Sequence, residues 1–169
     1  MRRNSSVPVI CFVMGVSGSG KSTIGKKLSV KAGLPFFDAD DFHPPANKAK
    51  MKAGKALTDE DRQGWLLALN GLALQQQHNG AVIACSALKE SYRTILSRDV
   101  AIPVYWIYLK GDFDLIAERM KQRKDHFMPP ELLVTQFQTL ELPIGAIEAD
   151  ITQSPDSIVE MIMGRLSAE

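Results

Sequence analysis

Gly15-Val16-Ser17-Gly18-Ser19-Gly20-Lys21-Ser22 sets two glycines with four residues between them, followed at once by a lysine and a hydroxyl. It matches G-x-x-x-x-G-K-[ST] at every fixed position. Glycine lets a backbone wrap closely around phosphate oxygens and aim its N–H groups at them. A lysine at the end of such a loop reaches β- and γ-phosphates, and the Ser22 hydroxyl is placed to ligate Mg²⁺. A plain glycine-rich turn would account for the glycines but not for the Lys-Ser pair that follows. The stretch from Gly15 to Thr23 is therefore read as the site of a nucleoside triphosphate, with Ser22 as a metal ligand.

A second chemical feature is the acidic run Asp38-Ala39-Asp40-Asp41. It closes the short apolar stretch Leu34–Phe37, and ligands of open α/β sheets bind outside the carboxyl ends of the strands. Alternation along an extended chain predicts that Asp38 and Asp40 point to the same side. One carboxylate would then support Mg²⁺ while the other accepts a proton from an attacking hydroxyl. Solvated turn residues are the plainer account of the same letters, and the neighbouring phosphate loop argues against it.

These groups need elements to hold them. Val7–Met14 is an apolar run with β-branched residues, as expected of a strand buried on both faces. A helix is predicted from Thr23 to Ala32, a second strand over "LPFFDAD", and a polar stretch through Pro44, Pro45 and Gly54. Thr58 is placed to cap a helix in which Trp65, Leu66, Leu69, Leu72 and Ala73 recur at helical spacing. "AVIAC" and "PVYWIYL" read as strands, and Lys89–Arg98 as a short helix. Asp112 is placed to cap a helix with Phe113, Ile116, Ala117 and Met120 on one face. Glu131–Glu141 follows as a helix, Ala146–Ile151 as a weak fifth strand, and Ser154-Pro155 opens the last helix. Strands alternating with helices predict one α/β domain around a mainly parallel sheet.

The chain has 169 residues, 45% of them hydrophobic and 23% charged, with a formal net charge of +1, so no whole-protein field draws in nucleic acid or an anionic surface. Recognition must be local. The apolar run before the loop is only about eight residues, with the glycine loop in place of a secretion signal's cleavage site, and far below the roughly 20 of a membrane span. A cytoplasmic protein without nucleic-acid or membrane partners is expected. Cys11 and Cys85, the two cysteines, each lie inside an apolar run and are read as small buried hydrophobes.

"DADDFHPPANKAKMKAGKALTDEDRQGWL", "CSALKESYRTIL", "IYLKGDFDLIAERMKQRKDHF" and "LLVTQFQTLE" resemble, in order, the blocks of the bacterial-type gluconokinase family. With the phosphate loop they span about Val9 to Glu141. The resemblance implies a P-loop NTPase fold like that of nucleoside-monophosphate and shikimate kinases: a five-stranded parallel sheet, flanking helices and a mobile lid at about 123–131. It implies MgATP as the phosphate source, D-gluconate as the acceptor at O6, and a homodimer. By the same resemblance Asp40 faces the acceptor hydroxyl as base, Asp38 supports Mg²⁺, and Arg62 holds the substrate carboxylate. A planar guanidinium suits such bidentate binding. His43, Ser86 and Lys89 are acceptor-side candidates, two of them with a structural alternative: a histidine packed beside Pro44, and a solvated first-turn lysine. Arg123, with Arg119 one turn before it, is implied as the lid arginine that closes over the phosphates. Family members usually carry glycine where Asp125 stands, which bears on the lid and not on the chemistry. Gln136 reads equally as a site residue or a structural one.

Other readings stay open at this point. A kinase with shikimate or a nucleoside monophosphate as acceptor would share the loop, although "CSALKESYR" stands where shikimate kinases place a glycine run. An ATP-dependent switch would bind MgATP without acceptor-dependent turnover. A nucleic-acid-handling protein would want a basic stripe that this chain lacks.

Overall fold

A computed structural model describes residues 7–123 and 129–168 of the chain. Its centre is a five-stranded sheet in the order β2-β3-β1-β4-β5, formed by β1 (Ile10–Met14), β2 (Phe36–Asp38), β3 (Ala81–Ala84), β4 (Val104–Lys110) and β5 (Ile147–Asp150). Every pairing is parallel; Ile10 stands opposite Ala81 on one side and Val104 on the other. All five residues of β1 are fully buried. They alternate between two cores, Cys11 and Val13 joining one face while Ile10, Phe12 and Met14 join the other. That is why the run shows no polar alternation in sequence. β5 is an edge strand, with Ile147 and Ala149 buried and Glu148 and Asp150 exposed, and this half-polar pattern explains its weak signal.

Seven α-helices are seen among the described residues: α1 (Lys21–Ala32), α2 (Pro45–Lys52), α3 (Asp59–Gln75), α4 (Glu90–Leu96), α5 (Phe113–Lys121), α6 (Pro130–Thr139) and α7 (Pro155–Ser167). α3 carries the expected stripe: Trp65, Leu66, Leu69, Leu72 and Ala73 are all buried, and each large apolar side chain so placed contributes roughly 1.5–3 kcal/mol. Its start is a full capping box. Thr58 Oγ1 accepts from Asp61 N–H at 3.1 Å, and Asp61 Oδ2 accepts from Thr58 N–H at 2.8 Å. Both cysteines are buried and unbonded to each other, and burial pushes each thiol up to about 12.

Three expectations need correction. The polar stretch after Pro44 contains a helix, α2, opened by Pro45 at its first turn, where a missing N–H does no harm. The second strand ends at Asp38, and Ala39–Phe42 turn into a 3₁₀ helix, so Asp38 and Asp40 do not share an extended segment. Asp112 occupies the N-cap of α5, but its side chain makes no capping hydrogen bond. Residues 124–128, with Asp125, lie outside the described residues. The end of the expected lid, 130–131, belongs to the first turn of α6.

Candidate active site

The phosphate loop runs from β1 into α1, and its shape depends on glycine at two positions. At Gly15, with φ +150°, a Cβ would stand 2.9 Å from Ser19 Oγ and 3.1 Å from the Leu109 carbonyl oxygen. Gly18, with φ +79°, would put one 2.7 Å from Met120. The loop thus lies pressed against β4 and α5 with no room for a side chain. Ser19 Oγ is buried in it without a protein hydrogen-bond partner. Gly15 N–H donates to the Ser86 carbonyl at 3.3 Å, tying the loop's first residue to the segment after β3.

Lys21 opens α1, and its Nζ donates to the Val16 carbonyl at 3.0 Å. Burial pulls its pKa below the ordinary lysine value; Asp40, Cys85 and Asp38 pull it back up, and Arg123 adds to the lowering. These interactions bring Lys21, Asp38, Asp40 and Arg123 into one electrostatic neighbourhood. Ser22 Oγ donates to Asp38 Oδ2 at 2.8 Å, so the two expected metal-side residues meet. The other oxygen, Asp38 Oδ1, accepts from Asp40 N–H at 3.0 Å and caps the 3₁₀ turn. This capping bond, and not strand alternation, is what sets Asp40 at the sheet edge, exposed to solvent.

On the outer side of the loop lies a cleft of about 370 Å³ lined by Gly18, Gly20, Thr23, Arg119, Arg123 and Pro155, among others. Arg119 is anchored there by donating to the Ile151 carbonyl at 2.6 Å.

The acceptor-side candidates form a second group. Arg62 Nη1 donates to the Leu57 carbonyl at 2.8 Å and to Tyr92 Oη at 3.0 Å, and its guanidinium lies 5.4 Å from the centre of the Tyr92 ring. The Tyr92 hydroxyl donates in turn to Asp59 Oδ1. Lys89 Nζ reaches the same carboxylate, at 3.1 and 3.2 Å. Hydrogen bonds from Tyr92 and then Lys89 hold Asp59 below the usual carboxylate range. The Lys89 side chain, 31% exposed, thus pairs with an acid while still open to solvent, and Arg62 is held by Leu57 and Tyr92. Both cations converge on Tyr92 and Asp59, which the sequence reading did not single out.

His43 is buried and stacked on Trp65, ring centres 4.1 Å apart and planes 11° from parallel, with Asn47 Nδ2 3.4 Å from its Nδ1. Burial, then the charges of Arg62 and Lys48, draws its pKa down to about 4. The stacking favours the structural account of this histidine, although its partner is Trp65 instead of Pro44. Trp65 Nε1 also donates to the Ala39 carbonyl at 2.7 Å, so the indole supports His43 and the Asp40 turn together.

One more residue escaped the sequence reading. Arg93, 3% exposed, donates to the Ala87 carbonyl at 2.7 Å and the Glu141 carbonyl at 2.9 Å. It fastens the segment carrying Ser86 and Lys89, in which Ala87 adopts φ +46°, to the end of α6. On α6 itself, the Gln136 side chain hydrogen-bonds Ser17 of the phosphate loop. A charged residue three after Glu90 in a short helix was the available signal for Arg93.

A phosphate loop at the carboxyl edge of a parallel sheet, facing paired aspartates and a cationic cluster, defines a P-loop kinase of small molecules. Residues 17–139 match the family model for shikimate kinase. The chain is 46% identical to the thermoresistant gluconokinase of Escherichia coli, covering 84% of this chain and 81% of that protein. It is 42% identical to a probable gluconokinase of Mus musculus, covering 94% and 98%. The crystal structure of a gluconokinase from Sinorhizobium meliloti superposes with a TM-score of 0.87 at 41% identity, over 96% of this chain and 93% of that one. The chain belongs to the gluconokinase family, within the shikimate-kinase-like fold.

Proposed function

We propose that this protein transfers the γ-phosphate of ATP to O6 of D-gluconate, giving 6-phospho-D-gluconate and ADP. The observation that carries the reading is the convergence of two sites on one sheet edge. Lys21, Ser22, Asp38 and Asp40 stand on the phosphate side. Arg62, Lys89 and Tyr92 gather around a carboxylate on the other. His43, which feels the charge of Arg62 and is braced with the Asp40 turn by Trp65, links them. The names of the relatives supply the acceptor.

In the mechanism, Gly15 to Thr23 cradle the phosphates with backbone N–H groups and the N-terminus of α1. Ser22 and Asp38, already joined by a hydrogen bond, are the residues that would hold Mg²⁺. That ion would supply neutralisation of the phosphate charge. Arg62 fixes the substrate carboxylate, with Lys89 beside it, Ser86 borders the polyol, and His43 braces the wall behind it. Asp40 orients the primary hydroxyl and takes its proton as the O6–phosphorus bond forms and the bond from phosphorus to the β,γ-bridging oxygen breaks. Lys21, Arg119 and Arg123 offset the charge that accumulates on the ADP side. The same reading includes one catalytic domain with its lid at about 123–131, a cytoplasmic location and a homodimer, the last tested by sedimentation.

The test is ADP release from MgATP with D-gluconate, L-idonate, shikimate or AMP, each against no acceptor. Turnover with D-gluconate that falls about a thousandfold in Asp40→Asn supports the assignment, within the range for loss of a catalytic base. Preference for another acceptor keeps the phosphate site and overturns the substrate. MgATP binding without any acceptor-dependent release leaves a switch.

A further inference from the structure

Gln136 is a polar residue in an apolar stripe. Leu132 and Leu133 on α6 are buried, Phe137 and Leu140 pack against the same core, and helical spacing puts Gln136 on that face. Packing alone would favour leucine or methionine there. Instead the amide reaches a residue 119 positions away. Gln136 Oε1 accepts the Ser17 N–H at 2.7 Å, and Nε2 donates to Ser17 Oγ at 3.0 Å. Because an N–H only donates, the amide's orientation is fixed by the first bond.

The peptide between Val16 and Ser17 is trans, so its C=O and N–H project from opposite edges of one plane. Gln136 holds the N–H edge. At the other edge the Val16 carbonyl accepts from Lys21 Nζ at 3.0 Å and from Ser19 N–H at 3.2 Å. Turning this peptide over would therefore break the α6 contact and the lysine contact together.

We propose that Gln136 is a positioning residue for Lys21, acting through the Val16–Ser17 peptide that it holds. The inference rests on the loop being the ATP site and deepens that reading. It gives α6 a part in phosphate transfer that does not require Gln136 to touch substrate.

The test uses Gln136→Leu, which suits the stripe, Ser17→Ala, which removes only the hydroxyl contact, and the double variant. Gln136→Leu lowers kcat about tenfold, the size of one lost hydrogen bond, with KM for D-gluconate within about twofold of wild type. Ser17→Ala costs about threefold, and the double variant is no worse than Gln136→Leu, since both act through one contact. Without any ligand, amide hydrogen exchange at Ser17 rises about tenfold in Gln136→Leu while buried β1 amides are unchanged. A rise in KM for D-gluconate at constant kcat would make Gln136 an acceptor contact and overturn the proposal. A lowered Tm with unchanged kcat, or unchanged Ser17 exchange, would overturn it as well. If the wild type does not turn over D-gluconate, the substrate assignment fails separately, and Ser17 exchange still decides the grip.

Discussion

The two halves of the site are built by different physics. On the proposed donor side the backbone shapes the site: Gly15 and Gly18 have no room for a Cβ, and the loop is pinned to Ser86 and Gln136 by its main-chain groups. On the proposed acceptor side long side chains shape it. Arg62, Tyr92, Asp59 and Lys89 come from α3, α4 and the residue capping α4, and the Asp59 side chain remains 66% exposed. A backbone cradle serves any nucleotide with the same phosphates. A side-chain cluster can be altered one residue at a time, so acceptor choice is expected to reside there.

The largest test of this division is Lys21→Ala. It should lower kcat about a thousandfold, as loss of a preorganised charge partner does, and leave the KM for D-gluconate near its wild-type value. A comparable loss of acceptor affinity would erase the distinction between the halves. Next in size, Arg62→Lys keeps the charge and loses the planar fork; the KM for D-gluconate should rise about thirtyfold, while MgADP affinity by calorimetry stays unchanged. Weakened MgADP binding would mean that the cluster serves the nucleotide too. Tyr92→Phe removes one hydroxyl that both donates to Asp59 and accepts from Arg62. It should raise that KM about fivefold, on the scale of one hydrogen bond.

A further effect, on stability, falls at the seam between the halves. His43 has a folded-state pKa of about 4, below the ordinary 6.5. The unfolded chain therefore binds the proton more readily between these values, and stability falls as pH drops from about 6.5 to 4. Allowing for solvent screening, roughly 2 kcal/mol is at stake. Urea unfolding at pH 7 and pH 4.5 should show this loss, reduced in His43→Gln; an equal pH dependence in the variant would place the titration elsewhere.

The same contrast explains what the sequence disclosed. The loop, β1 and the α3 stripe were legible because each depends on spacing within one short segment. Helix α2 was hidden by two prolines and a run of lysines, although Pro45 is harmless at a first turn and buried Asn47 anchors the helix by donating to the Asp61 carbonyl at 2.8 Å. Asp38 and Asp40 were found, for a reason that did not hold: a side-chain cap and a 3₁₀ turn orient them, and alternation does not. Tyr92 and Asp59 stand 33 residues apart, and no local pattern announces that they meet. Family resemblance named Arg62 and its place after the third strand named Lys89; only the fold supplied their partners.

The two thiols described earlier have a practical consequence. Cys85 sits directly after β3, within the electrostatic reach of Lys21, and Cys11 lies in the middle of β1; neither is accessible. An alkylating reagent can therefore reach them only when the sheet around the phosphate loop opens. The rate of their modification, read by mass spectrometry on the unaltered protein, becomes a clock for that opening, and its slowing by nucleotide measures how firmly the donor side is closed.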